Sequence, residues 1–218
     1  REWNALARKI QASKFTRPEG LLGQSAVELL NQLEITEAEA DRLSRLLSRD
    51  EDLIGEIRRL AAYGINPVTR VDPDYPQRYR QRLKDSAPIV LFYAGEPALL
   101  GQPGIAVVGS RHLDQAGQDC AAFVGNACGL SGLVLYSGGA KGVDTLSMKA
   151  ALEARGTAVG ILANSLLQAL RDGEVRSSIE RGDLCLATPY SPDAGFSVGA
   201  AMGRNRLIYC LADYAIVV

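Results

Sequence analysis

Two turns in this chain combine small residues with a cation, and both follow a short apolar run. Gly109-Ser110-Arg111 comes after Ile105–Val108. Ser137-Gly138-Gly139-Ala140-Lys141-Gly142 comes after Leu133–Tyr136, with Asp144 two residues further on. Glycine lets the main chain approach a ligand closely and adopt positive φ. Peptide N–H groups in such a turn, beside a helix N-terminus, form a concavity for anions. Arg111 and Lys141 would add charge-assisted hydrogen bonds to phosphate. Either turn alone reads equally well as a tight strand-to-helix connection with a solvated cation. Two of them at adjacent strand ends favour a site, because sites are made by converging groups.

The elements that must bring these turns together can be read from the spacing of apolar residues. Short apolar runs bounded by glycine and serine suit strands buried on both faces. A helix-length segment, 113–129, separates the two turns and suits a right-handed crossover between parallel strands. Both turns then lie at the carboxyl edge of the sheet, where open α/β sheets hold their ligands. The pattern continues with a helix over 143–155 and a strand over 157–162. Helical segments are expected over 164–172 and 174–181, followed by a strand over 183–187. A loop over 191–199 precedes a helix that contains Met202–Arg206 and reaches Leu211, and a strand covers 214–218. Upstream, 68–71 and 88–93 read as strands. This alternation predicts an α/β fold with a mostly parallel sheet covered by helices on both faces.

Residues 1–64 read as a separate, small helical domain ahead of the α/β domain at 65–218. Trp3, Leu6, Ala7 and Ile10 recur at helical spacing. Ser25 with Glu28, and Thr36 with Glu39, match the reciprocal capping box. Leu53, Ile54, Ile57, Leu60 and Ala61 form a further amphipathic run, with Gly64 as its C-cap. Balanced charge favours a packing role for these helices over contact with DNA backbone.

Composition narrows the function. The 218 residues carry a net charge of −1, and cations and anions balance in both halves. No global basic field is available to hold nucleic acid, so any contact must come from a local patch. No stretch has the length of an apolar membrane span and no signal peptide is visible, so a cytoplasmic location is expected. Cys120, Cys128, Cys185 and Cys210 form no Cys-x-x-Cys pair and there is one histidine, His112. Buried free thiols and no metal site are expected; His112 reads as a solvated turn residue. The chain begins without methionine and stops inside an apolar run, so both ends are expected to be cut and the second domain truncated.

Cofactor chemistry is not indicated. Gly138-Gly139-Ala140-Lys141-Gly142 only approximates the dinucleotide fingerprint, and the next strand ends at Leu162-Ala163-Asn164 without a carboxylate for a ribose. No lysine followed by serine or threonine closes a long glycine loop, which argues against ATP hydrolysis.

Several segments in fixed order carry a family resemblance. They are Gly64-Ile65, Asp72 with Tyr75-Pro76, Ala87-Pro88 with Leu91, Ala106–Arg111, Ser137–Asp144 and Arg204-Asn205-Arg206. The chain resembles the DNA-processing protein A family (DprA, also called Smf) over residues 60–218, as a divergent member. The resemblance implies an extended Rossmann-like domain that binds single-stranded DNA. It also implies a homodimer that helps load a RecA-type recombinase in natural transformation, without being an enzyme. By that analogy Arg111, Lys141, Arg204 and Arg206 face phosphates. Gly109, Ser110, Ser137, Gly138, Gly139 and Gly142 shape the pocket, and Asn205 bonds a base or the sheet edge.

Single-strand binders add stacking platforms to a basic groove; the candidates are Tyr136, Tyr190 and Phe196, each also readable as packing. Asp144 is expected to orient Lys141 or cap its helix rather than act as a general base. Arg204 and Arg206 have an alternative as surface salt-bridge partners. The departures from the family pattern are Met148 for a histidine, Ala163 and Ser165 for a glycine pair, no tyrosine-proline within 166–175, Ala187-Thr188 for Ser-Glu, and Met202 for a proline; they are expected around the pocket rim.

Two rivals remain open. One is a small-molecule nucleotide pocket, either a sensor or a phosphoribohydrolase-like enzyme using Asp144, although its Pro-Gly-Gly-x-Gly-Thr-x-x-Glu pattern is missing. The other is an interaction scaffold with a vestigial pocket.

Overall fold

The computed structural model describes residues 2–218, apart from the side chain of Trp3, so the expected apolar contribution of Trp3 lies outside the described residues. The chain divides into two compact units, one ending at Leu60 and one running from Ala61 to Val218. The sequence places this boundary at 64/65.

The first unit contains α1 (Glu2–Ala12), α2 (Ala26–Leu33), α3 (Glu37–Leu47) and most of α4 (Asp50–Ala61). Both capping boxes form. Ser25 and Thr36 accept the backbone N–H of Glu28 and Glu39, and those carboxylates accept the N–H of Ser25 and Thr36 at 2.8 Å each. Two orphan donors are thereby satisfied at each helix start. The core is Ile10, Leu21, Leu29, Leu33 and Ala40, with Leu6, Phe15 and Leu43 packed around it.

The second unit is built on a seven-stranded sheet in the order β1-β2-β6-β5-β4-β3-β7. Its strands are β1 (Asn66–Thr69), β2 (Val90–Gly95), β3 (Gly104–Val108), β4 (Val134–Ser137), β5 (Ala158–Ile161), β6 (Leu184–Thr188) and β7 (Tyr214–Val217). Strands β6, β5, β4, β3 and β7 run parallel, and β1 and β2 are antiparallel additions beside β6. The helices are α5 (Gln77–Leu83), α6 (Gln115–Leu130), α7 (Val143–Glu153), α8 (Leu166–Ala169), α9 (Gly173–Glu180) and α10 (Val198–Leu211). Leu207, Ile208 and Leu211 of α10 and Tyr79 of α5 pack with Tyr136, Val159 and Ile161 on one face of the sheet. Helices α6 and α7 cover β3, β4 and β5. The architecture is the mixed, Rossmann-like α/β fold expected.

Local corrections have local causes. Strand β1 stops at Thr69 instead of Val71, because the Asp72 carboxylate accepts the Thr69 N–H at 2.7 Å and turns the chain. Within 164–172 only Leu166–Ala169 is helical. Cys128 and Cys185 are buried, but Cys120 is exposed. The inner face of α6 is Ala121, Gly125 and Cys128, and Cys120 stands about 100° around the helix from Ala121.

Strand β3 has β4, its successor, on one side and β7 on the other. The strand order therefore reverses between β3 and β7. In open α/β sheets the ligand crevice forms at such a point, outside the carboxyl ends of the strands.

Candidate functional site

The turns after β3 and β4 touch. The N–H of Val143, at the start of α7, donates to the carbonyl of Ser110 at 3.2 Å, and the N–H of Ser110 donates to the carbonyl of Val218 at 3.1 Å. Gly142 has φ +95°, and a Cβ there would collide with the Ser110 carbonyl and lie 2.8 Å from the Arg111 Cα. Only glycine allows this contact at this φ. The Ser110 side chain is spent locally: its Oγ donates to the carbonyl of His112 at 2.6 Å and accepts the His112 N–H at 3.1 Å.

Beside this junction opens a cleft of about 500 Å³ at the β3/β7 boundary. Gly109, Ser110, Arg111, Asp144, Arg204 and Asn205 all border it, together with Phe196 from the loop before α10. Arg111 is exposed, and its guanidinium lies over the Phe196 ring, 4.8 Å from the centroid. Phe196 is 52% exposed, so a face-on cation–π pair stands at the cleft mouth. Lys141 is also exposed, next in sequence to the cleft residue Ala140.

Deeper in, the chain supplies its own anion. Asp144 is 5% exposed. Its Oδ2 accepts the N–H of Gly138 at 3.1 Å and of Ala140 at 3.3 Å, and stands 3.7 Å from Nη1 of Arg204. Asp144 therefore organises the β4–α7 turn and faces Arg204 instead of orienting Lys141. Burial raises its pKa, opposed by Arg204 and by the N–H groups of Ala140, Gly138 and Gly109. Burial lowers the pKa of Arg204, and Asp144 opposes that shift.

This corrects the expected role of Arg204, which is 4% exposed and tied to an internal carboxylate rather than displayed to a phosphate. Gly138 is small for the same reason, since a Cβ there would fall inside the guanidinium group. The N–H groups of Gly138 and Ala140, expected to cradle an anion, already hold one.

Other expected residues lie elsewhere. Ser137 is fully buried and donates to the carbonyl of Val107 at 2.6 Å. Tyr136 is fully buried, with its OH within hydrogen-bond distance of the carbonyls of Leu99 at 2.8 Å and Gln102 at 2.6 Å, so it packs and does not stack. Arg206 does not border the cleft; its Nη2 reaches the carbonyl of Ser86 at 3.3 Å. Two residues along a helix turn a side chain by about 200°, so Arg204 and Arg206 cannot share a site. Half-buried Tyr190 braces α10 through a bond to the carbonyl of Ala200 at 2.9 Å. Gly139, at φ +64°, borders a separate cleft between α7 and α9 floored by Met148, Leu152, Leu162 and Leu186.

Sequence reasoning missed Val198, Ala201 and Tyr209, which also border the main cleft. Val198, Met202, Asn205 and Tyr209 recur at helical spacing opposite the buried Leu207, Ile208 and Leu211. That stripe was the available signal. Among the described residues no cluster of three or more histidine, cysteine, aspartate or glutamate side chains could hold a metal ion. Nor is any helix among them long and apolar enough to cross a membrane.

Residues 66–218 match the model of DNA recombination-mediator protein A. The chain belongs to that family. It is similar to the DNA processing protein DprA of Bacillus subtilis, with 33% identity over 170 residues, covering 74% of this chain and 55% of the relative. It is also similar to DprA of Streptococcus pneumoniae, with 41% identity over 81 residues, covering 37% of this chain and 28% of the relative. The chain thus spans about half the length, or less, of the curated relatives it matches. The X-ray structure of the Streptococcus pneumoniae protein superposes with TM-score 0.65 and 26% identity, over 84% of this chain and 62% of that one. A structure of the Helicobacter pylori protein, described for its single-stranded DNA binding mode, shares the fold with TM-score 0.56 and 23% identity, over 70% and 68%.

The departures from the DprA pattern do not all lie at the rim, as expected. Met202 is 73% exposed and borders the main cleft. Met148 instead packs against β5, where a Cβ on Gly160 would lie 3.1 Å from its Cε. Thr188 is buried and donates to the carbonyl of Leu162 at 3.1 Å.

Proposed function

We propose that this chain binds single-stranded DNA across the mouth of the cleft at the β3/β7 boundary. In this reading Arg111 and Lys141 contact phosphates and Phe196 receives a base. The observation that carries it is the exposed Arg111–Phe196 pair, with the guanidinium 4.8 Å from the ring centroid. No carboxylate is recorded in an ion pair with Arg111 among the described residues. A cation beside an exposed aromatic face is what sequence-tolerant single-strand binding uses. Membership of the DNA recombination-mediator family supports the reading, as does the Helicobacter pylori relative that binds single strands. On the same family ground, the reading extends to recombination during DNA uptake, a RecA-type recombinase as partner, a homodimer and the absence of catalysis. A nucleotide hydrolase would need a carboxylate free to act on substrate, whereas Asp144 is buried, with its Oδ2 engaged by two peptide N–H groups and facing Arg204.

The test is titration of labelled oligonucleotide against wild type, Arg111→Ala and Lys141→Ala over a range of salt. Each variant is expected to bind more weakly across sequences, with the salt slope reduced by about one per lost phosphate contact. Unchanged affinity and slope in both variants would remove the proposal.

A further inference from the structure

We propose that Asp144 is a resident anion that keeps free nucleotides and inorganic phosphate out of the cleft, restricting it to a strand lying across the mouth. The strand itself rests on the single-stranded DNA reading above; the exclusion of free phosphate does not.

The turn after a strand and the first turn of the next helix are where α/β proteins offer peptide N–H groups to a phosphate. In this chain two of those donors face a carboxylate. Asp144 Oδ2 takes the N–H groups of Gly138 and Ala140 at 3.1 and 3.3 Å. The same oxygen faces the buried Arg204 at 3.7 Å. An entering phosphate would therefore meet filled donors and a like charge in a poorly solvated place, where repulsion is least screened. Arg204 is the one buried cation among the residues bordering the cleft, and it is already matched by Asp144.

Nε and Nη1 of Arg204 are buried and have no hydrogen-bond partner. The guanidinium therefore holds donor capacity that Asp144 does not use, and loss of the carboxylate charge would leave it open to an outside anion. The groups outside this pair suit a different ligand. Arg111 and Lys141 are exposed, and Phe196 and Met202 present 52% and 73% of their surface. A phosphodiester chain can run over them without entering the occupied turn.

The experiment uses AMP and inorganic phosphate as probes, by calorimetry on the full chain, and AMP as competitor against a labelled oligonucleotide. Wild type is expected to show no binding of either probe at millimolar concentration and no displacement of the oligonucleotide by AMP. Asp144→Asn keeps an acceptor for the two N–H groups and removes the charge. It is expected to gain AMP affinity, raising the ratio of AMP to oligonucleotide affinity by about tenfold or more. Asp144→Gly, which vacates the turn, should gain phosphate affinity as well. AMP binding to wild type as tightly as to Asp144→Asn overturns the proposal, as does a folded Asp144→Asn with no gain. Circular dichroism establishes folding; if neither variant folds, the wild-type probes decide alone. A wild type that binds no oligonucleotide, together with an Asp144→Asn that gains AMP, would sink the single-strand reading and leave the exclusion standing.

Discussion

Gly138 and Arg204 share one volume: the guanidinium group lies where a Gly138 side chain would begin. Replacing Gly138 with alanine would push Arg204 off Asp144 inside the core. We expect Gly138→Ala to lose about 3 kcal/mol of stability in urea denaturation. Its effect should be clearly less than additive with Arg204→Met, because both break one contact. Strict additivity would mean that the two residues act independently.

The Arg204–Asp144 pair is expected to behave as a buried ion pair. Arg204→Met alone strands a carboxylate and should cost about 3–5 kcal/mol. The double variant Arg204→Met/Asp144→Asn removes the stranded charge and should recover the greater part. Equal unfolding midpoints for the single and double variants would contradict this.

The two arginines of Arg204-Asn205-Arg206 should separate in a binding assay. Arg206 reaches the carbonyl of Ser86, away from the cleft. Arg206→Ala is expected to hold oligonucleotide affinity within about twofold, in contrast to Arg111→Ala. A loss matching that of Arg111→Ala would put Arg206 on the DNA.

Phe196 is exposed and contributes little to the core. Phe196→Ala should leave the melting temperature unchanged and weaken oligonucleotide binding by about fivefold or more, the range of one lost base stack. A shifted melt with intact binding would recast Phe196 as a structural residue.

Acid should act with opposite signs on the capping glutamates of the first unit and on Asp144. The Ser25 and Thr36 peptide N–H groups hold the Glu28 and Glu39 carboxyls below their ordinary value. A depressed carboxyl stabilises the fold above its unfolded pKa, about 4.3 for glutamate, and that stabilisation is lost as pH falls through the folded pKa. Asp144, raised by burial, favours the fold at low pH and loses that contribution as pH rises through its folded pKa. The double variant Glu28→Gln/Glu39→Gln should flatten the acid limb of helix loss followed by circular dichroism. An unchanged acid limb would show that the capping boxes do not control it.

Much of the second unit was legible because its strands are short apolar runs closed by glycine, as in Ile105–Val108 and Leu133–Tyr136. The antiparallel direction of β1 and β2 was not, since alternation and composition carry no strand direction. The meeting of the two turns followed from their places at adjacent strand ends. The fate of their charges did not: Arg111 and Arg204 look alike as residues, yet one lies over an exposed ring and the other faces Asp144 in the interior. Helical phase held the missing clue, because Arg204 is in register with Leu207, Ile208 and Leu211, all buried. Likewise Tyr136 reads as an aromatic beside a glycine turn, and only packing reveals that both its hydrogen-bond partners come from residues 99–102.

A single residue, Ser110, links the end of β3 through its N–H to the end of β7 and through its carbonyl to the first turn of α7. Three segments far apart along the polymer thus lose their independence at one point. The rim carrying Arg111 is set before any ligand arrives, so capture should cost little ordering entropy and proceed with the loop geometry already in place.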